Sequence, residues 1–182
     1  MLDFKNDEIA FTAFMQAHQN RVFNAVLNMM QHVEDAEEIT QDVFVDVYRS
    51  AENFRGDAAV TTWLYRIAMN KCIDQLRKKQ RRQKWNSVTD FFSAKTSGYN
   101  EPHDFVHPGI IAEQKEKAAL LYKAIDQLAV NQRMAYILSE TENLPYKEIA
   151  EVMKVSVSAV ESLLVRAKQN LRKILGGYYN GQ

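Results

Sequence analysis

Residues 54–82 read FRGDAAVTTWLYRIAMNKCIDQLRKKQRR: a Gly-containing loop, a Trp-Leu-Tyr-Arg run of helical character, and a basic end at Arg77, Lys78, Lys79, Arg81 and Arg82, with Lys84 just beyond. Thr61 or Thr62 is placed to cap the helix. At 100° per residue, Arg66, Asn70, Arg77 and Arg81 fall within a sector about 60° wide, with Ile73 and Asp74 near its edges. Such a face suits a phosphate backbone. Arg and Lys supply attraction that ignores sequence, whereas the Asn70 amide can pair with a base edge. The same residues also fit a solvated basic helix end. Gly56 permits backbone angles closed to other residues. Trp63 is either a stacking platform for a base or a core anchor, and a lone Trp on a packed helix favours the core.

The segment before this stretch carries the opposite charge. Residues 1–60 hold eleven acids (Asp3, Asp7, Glu8, Glu34, Asp35, Glu37, Glu38, Asp42, Asp46, Glu52, Asp57) against four bases (Lys5, Arg21, Arg49, Arg55). Residues 61–100 reverse this, with nine bases against Asp74 and Asp90 alone. A formal net charge of zero therefore hides two surfaces, one fit for a basic partner and one for a polyanion. Asn6 or Asp7 can cap a first helix carrying Ile9, Phe14, Val22, Phe23, Val26, Leu27 and Met30, with a break allowed near His18 to Asn20. Asp35 is placed to cap a second, in which Ala36, Ile39, Val43, Phe44 and Val47 recur at helical spacing. Its other face stacks Glu38, Asp42 and Asp46 at i, i+4, which is tolerated rather than stabilising unless a basic partner meets it.

From Trp85 to Pro108 the helical pattern fails, and Ser, Thr, Gly, Asn and Pro crowd together as in a linker between two domains. His103 and His107 lie there at i, i+4, but the prolines and the lack of further ligands argue against a metal site. Ile110 to Leu128 reads as helix, and Asn131 can cap another reaching about Thr141. Leu144-Pro145 then opens a short helix with Ile149, Ala150 and Met153 inward, Lys154-Val155-Ser156 forms a turn, and a last helix buries Val160, Leu163, Leu164, Ala167, Leu171 and Ile174. This is a helix-turn-helix pattern. Its exposed side presents Ser158, Glu161, Ser162, Val165, Gln169 and Arg172, with Arg166, Lys168, Arg172 and Lys173 able to meet phosphates.

Composition excludes much else. Apolar residues make up 46% and charged residues 25%, as in ordinary globular chains. No apolar run is long enough to span a bilayer, and the start lacks a secretory pattern, so a cytoplasmic protein without membrane insertion is expected. The single cysteine, Cys72, rules out an internal disulfide and reads as a packing residue. No phosphate-binding Gly motif, metal-ligand set or nucleophile-base pair is present, so no enzyme, cofactor or metal is expected.

Three stretches together, DAEEITQDVFVDVYR from Asp35, FRGDAAVTTWLYRIAMNKCIDQLR from Phe54 and LPYKEIAEVMKVSVSAVESLLVRAKQNLRK from Leu144, resemble the sigma-70 family of bacterial RNA polymerase sigma factors, in particular its extracytoplasmic-function group. The resemblance implies an all-α fold of two small helical domains joined by a flexible linker. These are region 2 over residues 1–84, a linker over 85–110, and region 4 over 111–182. It implies an initiation factor that binds core RNA polymerase, directs it to a promoter class and helps melt the minus-ten element. Carried onto this chain, Glu38, Gln41, Asp42 and Asp46 correspond to the surface that docks on the clamp helices of the largest polymerase subunit. Phe54, Arg55, Gly56, Asp57, Ala58, Arg66, Asn70, Lys71 and Arg77 correspond to the minus-ten contacts, with Asn70 at the pocket for an extruded base. Ser158, Ala159, Glu161, Ser162, Val165, Arg166 and Lys168 correspond to the minus-thirty-five contacts. The family linker threads toward the polymerase cleft, and many members are held by an anti-sigma factor, often at the inner membrane. Glu161 and Leu163 stand where many relatives carry bases, Lys154 where the turn often has Gly, and Ala129 where Pro is frequent, which points to a branch with its own promoter code. The competing reading from the helix-turn-helix alone is a stand-alone transcriptional regulator.

Overall fold

The computed structural model describes residues 4, 7–54, 56, 59–90 and 115–179. Among them there are helices and no strand: α1 (Glu8–Met30), α2 (Val33–Ser50), α3 (Val60–Asp90), α4 (Lys115–Asp126), α5 (Val130–Tyr136), α6 (Tyr146–Met153) and α7 (Val157–Tyr179). The all-α expectation is borne out.

Helix α1 runs unbroken through His18 to Asn20, because the segment holds neither Gly nor Pro and the Phe14 and His18 rings stack across one turn, 4.6 Å between centroids. Asp7 caps it by accepting from the Ala10 amide at 2.8 Å. Phe4 folds back onto Phe11 and Phe14 and is buried, a contact that no periodicity announces.

The cap of α2 is His32 rather than the expected Asp35: its Nδ1 accepts from the Asp35 amide at 3.3 Å. Asp35 sits inside the first turn, where a carboxylate favours the helix dipole, and takes the ammonium of Lys79 from α3. Nor does Thr61 or Thr62 cap α3, which begins at Val60, with the Trp63 amide bonded to the Ala59 carbonyl. The backbone of α3 stays helical to Asp90, past Trp85 where the apolar pattern fails. With no Gly or Pro between Val60 and Asp90, nothing local ends the helix.

Helices α1, α2 and α3 enclose a core in which Val22, Val26, Leu27, Val43, Val47, Leu64 and Met69 are buried, each worth about 1.5–3 kcal/mol relative to exposure. Cys72 is fully buried among them, and desolvation pushes its thiol up to about 12.

Helix α5 is capped by the backbone of Ala129, so Asn131 lies inside its first turn. It continues as a π-helical turn, Ile137–Thr141. The buried Arg133 bonds the Met29 carbonyl at 3.1 Å and the Asp126 carboxylate at 2.8 Å, joining α1 to the end of α4. Helices α6 and α7 make the helix-turn-helix, with Ile149, Ala150, Val152, Val160 and Leu164 buried at its corner. Ser156 caps α7 by accepting from the Ala159 amide at 3.2 Å. Ala124, Ile125 and Leu128 pack against Ala167 and Leu171 in a second cluster.

Lys154 ends α6 with φ 54°, in the left-handed region where a β-carbon is strained. Lys154→Gly is expected to raise the urea midpoint of unfolding, by about 0.5–1 kcal/mol after the added freedom of the unfolded chain is set against the relief of strain. An unchanged or lower midpoint would show that the turn carries no such strain.

Candidate nucleic-acid and protein interfaces

Three faces of the molecule bear the residues singled out from the sequence. On α3, Asn70, Arg77, Lys78, Arg81 and Arg82 are exposed and Arg66 is half-buried, so the stripe from Arg66 to Arg81 meets solvent. Arg77 pairs with Asp74 at 3.7 Å across one turn, and Arg81 Nε donates to the Arg77 carbonyl at 3.4 Å. These exposed contacts are weak and leave the guanidinium groups able to exchange them for phosphates. In the preceding loop, Gly56 has φ 78° and no atom within 4 Å of the point where a β-carbon would stand, so the angle, not crowding, favours glycine there. Phe54 lies against Trp63, 4.9 Å between ring centroids, and Trp63 is only 7% exposed. Trp63 is therefore a core anchor that positions Phe54 at the loop. Arg55, Asp57 and Ala58 lie outside the described residues.

Lys71 leaves the α3 stripe and reaches α2, with its ammonium 2.8 Å from Asp46 and 3.7 Å from Asp42. The acidic stack thus has a counter-charge within the chain. Glu38, Gln41 and Asp42 are exposed and Asp46 is half-buried on the same face. Two residues passed over in the sequence stand with them: Val45, 45% exposed, and Tyr48, 39% exposed, whose ring meets Phe11 edge-on at 5.0 Å. Val45 falls about 180° from the buried position of Ala36, and an apolar residue opposite the apolar stripe was the available signal. An apolar spot ringed by carboxylates is the anatomy of a protein-docking face.

On α7, Ser158, Glu161, Ser162, Val165, Arg166, Gln169 and Arg172 are exposed while Ala159 is half-buried. Ser158, Glu161, Ser162, Val165, Gln169 and Arg172 fall in a sector about 100° wide, the width of one groove-facing side. Val165, 55% exposed, offers a methyl-sized apolar contact, and Glu161 an acceptor. Lys168 pairs with Glu140 at 2.9 Å, which raises the lysine and lowers the carboxyl from their ordinary ranges. It flanks the stripe rather than lying on it. Among the described residues no group of three His, Cys, Asp or Glu is placed to hold a metal, and no helix is long and apolar enough to cross a membrane.

Comparison with known proteins places the same faces in a family context. A family model described as sigma-70 region 2 matches residues 14–82, and one described as sigma-70 region 4 matches residues 118–171. The RNA polymerase sigma-H factor of Pseudomonas aeruginosa is 32% identical over 171 residues, which cover 94% of this chain and 89% of that protein. The ECF RNA polymerase sigma-E factor of Escherichia coli is 30% identical over 165 residues, covering 91% and 86%. In fold, the chain is similar to the sigma factor RpoE solved with the anti-sigma factor NepR from Bartonella quintana, with a TM-score of 0.67 at 21% identity over 91% of this chain and 96% of that one. It is also similar to CnrH solved with the cytosolic domain of CnrY, with a TM-score of 0.65 at 21% identity over 94% and 90%.

Proposed function

The chain belongs to the extracytoplasmic-function group of the sigma-70 family, and on that premise we propose how its three faces divide the work of a promoter-directing RNA polymerase sigma factor. The face of α2 bearing Glu38, Gln41, Asp42 and Asp46 docks on basic clamp helices of the largest core subunit. The loop from Phe54 and the α3 stripe at Arg66, Asn70 and Arg77 open the minus-ten element and hold an extruded base. Helix α7 lies in the major groove of the minus-thirty-five element, where Ser158, Ala159, Glu161, Ser162 and Val165 meet bases and Arg166 and Lys168 meet phosphates.

The observation that carries this reading is the exposure of Asn70 in a stripe of arginines on the helix that follows the Gly56 loop. An amide there can satisfy a flipped base while the arginines hold the strand. Melting needs no chemistry from the chain, since binding energy offsets the few kcal/mol of unstacking. Lys71 divides its role: it neutralises Asp42 and Asp46 in the free protein and stands one residue from Asn70. Domain limits follow the faces, with region 2 over 1–84 and region 4 over 111–182. The solved neighbours bound to NepR and CnrY support a further part of the proposal, that an anti-sigma factor holds this chain in the cytoplasm or at the inner membrane until it is needed.

The test is to reconstitute core polymerase with the protein on fragmented genomic DNA and map transcript five-prime ends. Discrete starts that depend on the protein and share two upstream motifs at fixed spacing are expected. Glu161→Arg should change the upstream motif and leave the downstream one as it was, because one good base contact is worth about 1–3 kcal/mol of discrimination. If both motifs persist unaltered, Glu161 does not read sequence; if no starts depend on the protein, the division of work fails as a whole.

A further inference from the structure

The two promoter elements lie about 25 base pairs apart, or roughly 85 Å of duplex at 3.4 Å per pair. Helices α3 and α7 must stand that far from one another to engage both. In this structure they do not. Helix α6, the partner of α7 in the helix-turn-helix, packs along the first half of α3, and one buried cluster joins Met29 and Met69 to Leu138, Ile149 and Val152.

Polar groups close this contact. The Tyr65 hydroxyl donates to Glu142, and the Thr62 hydroxyl donates to Glu148 at 2.9 Å. Farther along, the Tyr122 hydroxyl donates to Asn28 at 3.0 Å, and Gln31 donates to the Tyr122 carbonyl at 3.0 Å. Thr62 and Tyr65 are 3% and 1% exposed, and each finds its side-chain partner on the other half of the molecule. On the wheel of α3, Thr62, Tyr65 and Met69 occupy the flank within about 100° of Arg66, so a strand approaching Arg66 and Asn70 meets α6 at its side.

We propose that the free protein inhibits itself: region 4 clamps the flank of the minus-ten helix through Tyr65–Glu142 and Thr62–Glu148, and must be lifted off before the chain can span a promoter. This inference rests on the assignment of α3 and α7 to the two elements. The chemistry of the contact suits a reversible clamp. Both acceptors are carboxylates, which water solvates well once the halves part, whereas a wholly apolar seam would resist opening. Burial holds the Glu142 carboxyl above its ordinary range despite the Tyr65 hydrogen bond and Arg21, so the closed form carries a desolvation cost that opening relieves. The 24 residues between Asp90 and Lys115, at no more than about 3.5 Å each, can reach roughly 80 Å, so chain length does not forbid the open form.

The experiment uses the full chain with donor and acceptor dyes on cysteines introduced at Gln16 and Glu151, both exposed and outside the contact. Cys72 is retained, since a buried thiol titrating near 12 does not compete for label. Single-molecule energy transfer should show the free wild-type protein mainly in a high-transfer form that converts to low transfer on adding core polymerase. Tyr65→Phe and Glu142→Ala should each raise the low-transfer population about tenfold or more, as expected for orphaning one partner of a charged hydrogen bond, and together less than the product of the two. The substitutions lie on opposite halves, so if circular dichroism shows that one fails to fold, the other decides. A wild-type protein already in the low-transfer form, or populations that neither substitution shifts, would overturn the clamp. Loss of the role assigned to α3 and α7 would appear separately, as transcript starts that do not depend on the protein while the transfer result stands.

Discussion

Asn70→Ala should slow promoter opening by roughly 10- to 100-fold while leaving binding to core polymerase unchanged. The magnitude follows from the job assigned to the amide. A base drawn out of the stack loses a few kcal/mol of stacking, and a bidentate amide contact returns about 1–3 kcal/mol of it. Removing the amide leaves Arg66 and Arg77 to hold the strand without offering the base a partner, so the loss falls on melting rather than on initial binding. The fold should not suffer: Asn70 is exposed, makes no hydrogen bond among those described, and alanine is the better helix former. Permanganate reactivity of unpaired thymines, followed in time on a promoter recovered by transcript mapping, measures the opening directly. An open complex that forms at the wild-type rate would remove Asn70 from the base pocket and return the α3 stripe to general phosphate attraction.

The prominence of this residue in the sequence shows what a single chain makes legible. Periodicity exposes any feature confined to one helix. The buried stripe of Val43 and Val47, the groove-facing side from Ser158 to Arg172 and the turn at Lys154 all follow from the spacing of residue types along one element. Capping was less legible because several side chains compete at a helix start. His32, Asp35, Thr61 and Thr62 all carry suitable groups, and tertiary partners decided the outcome: Lys79 claims Asp35 and Glu148 claims Thr62. Least legible were contacts between residues far apart in the chain. Tyr65 and Glu142 are 77 residues apart, and neither stands out on its own helix. The same is true of Lys71, whose place beside Asn70 suggests DNA while its ammonium lies against Asp46.

That position of Lys71 sharpens the test of the polymerase face. Reversing charge with Asp42→Lys and Asp46→Lys should weaken binding to core polymerase by about 100-fold or more, because two attractions to a basic partner become two repulsions at a face whose centre, Val45, is desolvated on docking. Part of the loss arises in the free protein, where both new lysines confront Lys71. That contribution is small, since exposed pairs are worth about 0–1 kcal/mol, and a parallel measurement of chemical stability subtracts it. Lys71→Ala supplies the opposite sign. It deprives Asp42 and Asp46 of their internal counter-charge, so core binding should hold or tighten by a few-fold while binding to the minus-ten strand weakens. Titration of labelled protein with core polymerase at low and high salt distinguishes the two substitutions, because attraction between opposite faces fades with ionic strength and the reversed variant should lose that dependence. Core affinity unmoved by the double reversal would mean that the acidic face of α2 is solvated surface, and that docking rests on other parts of the chain.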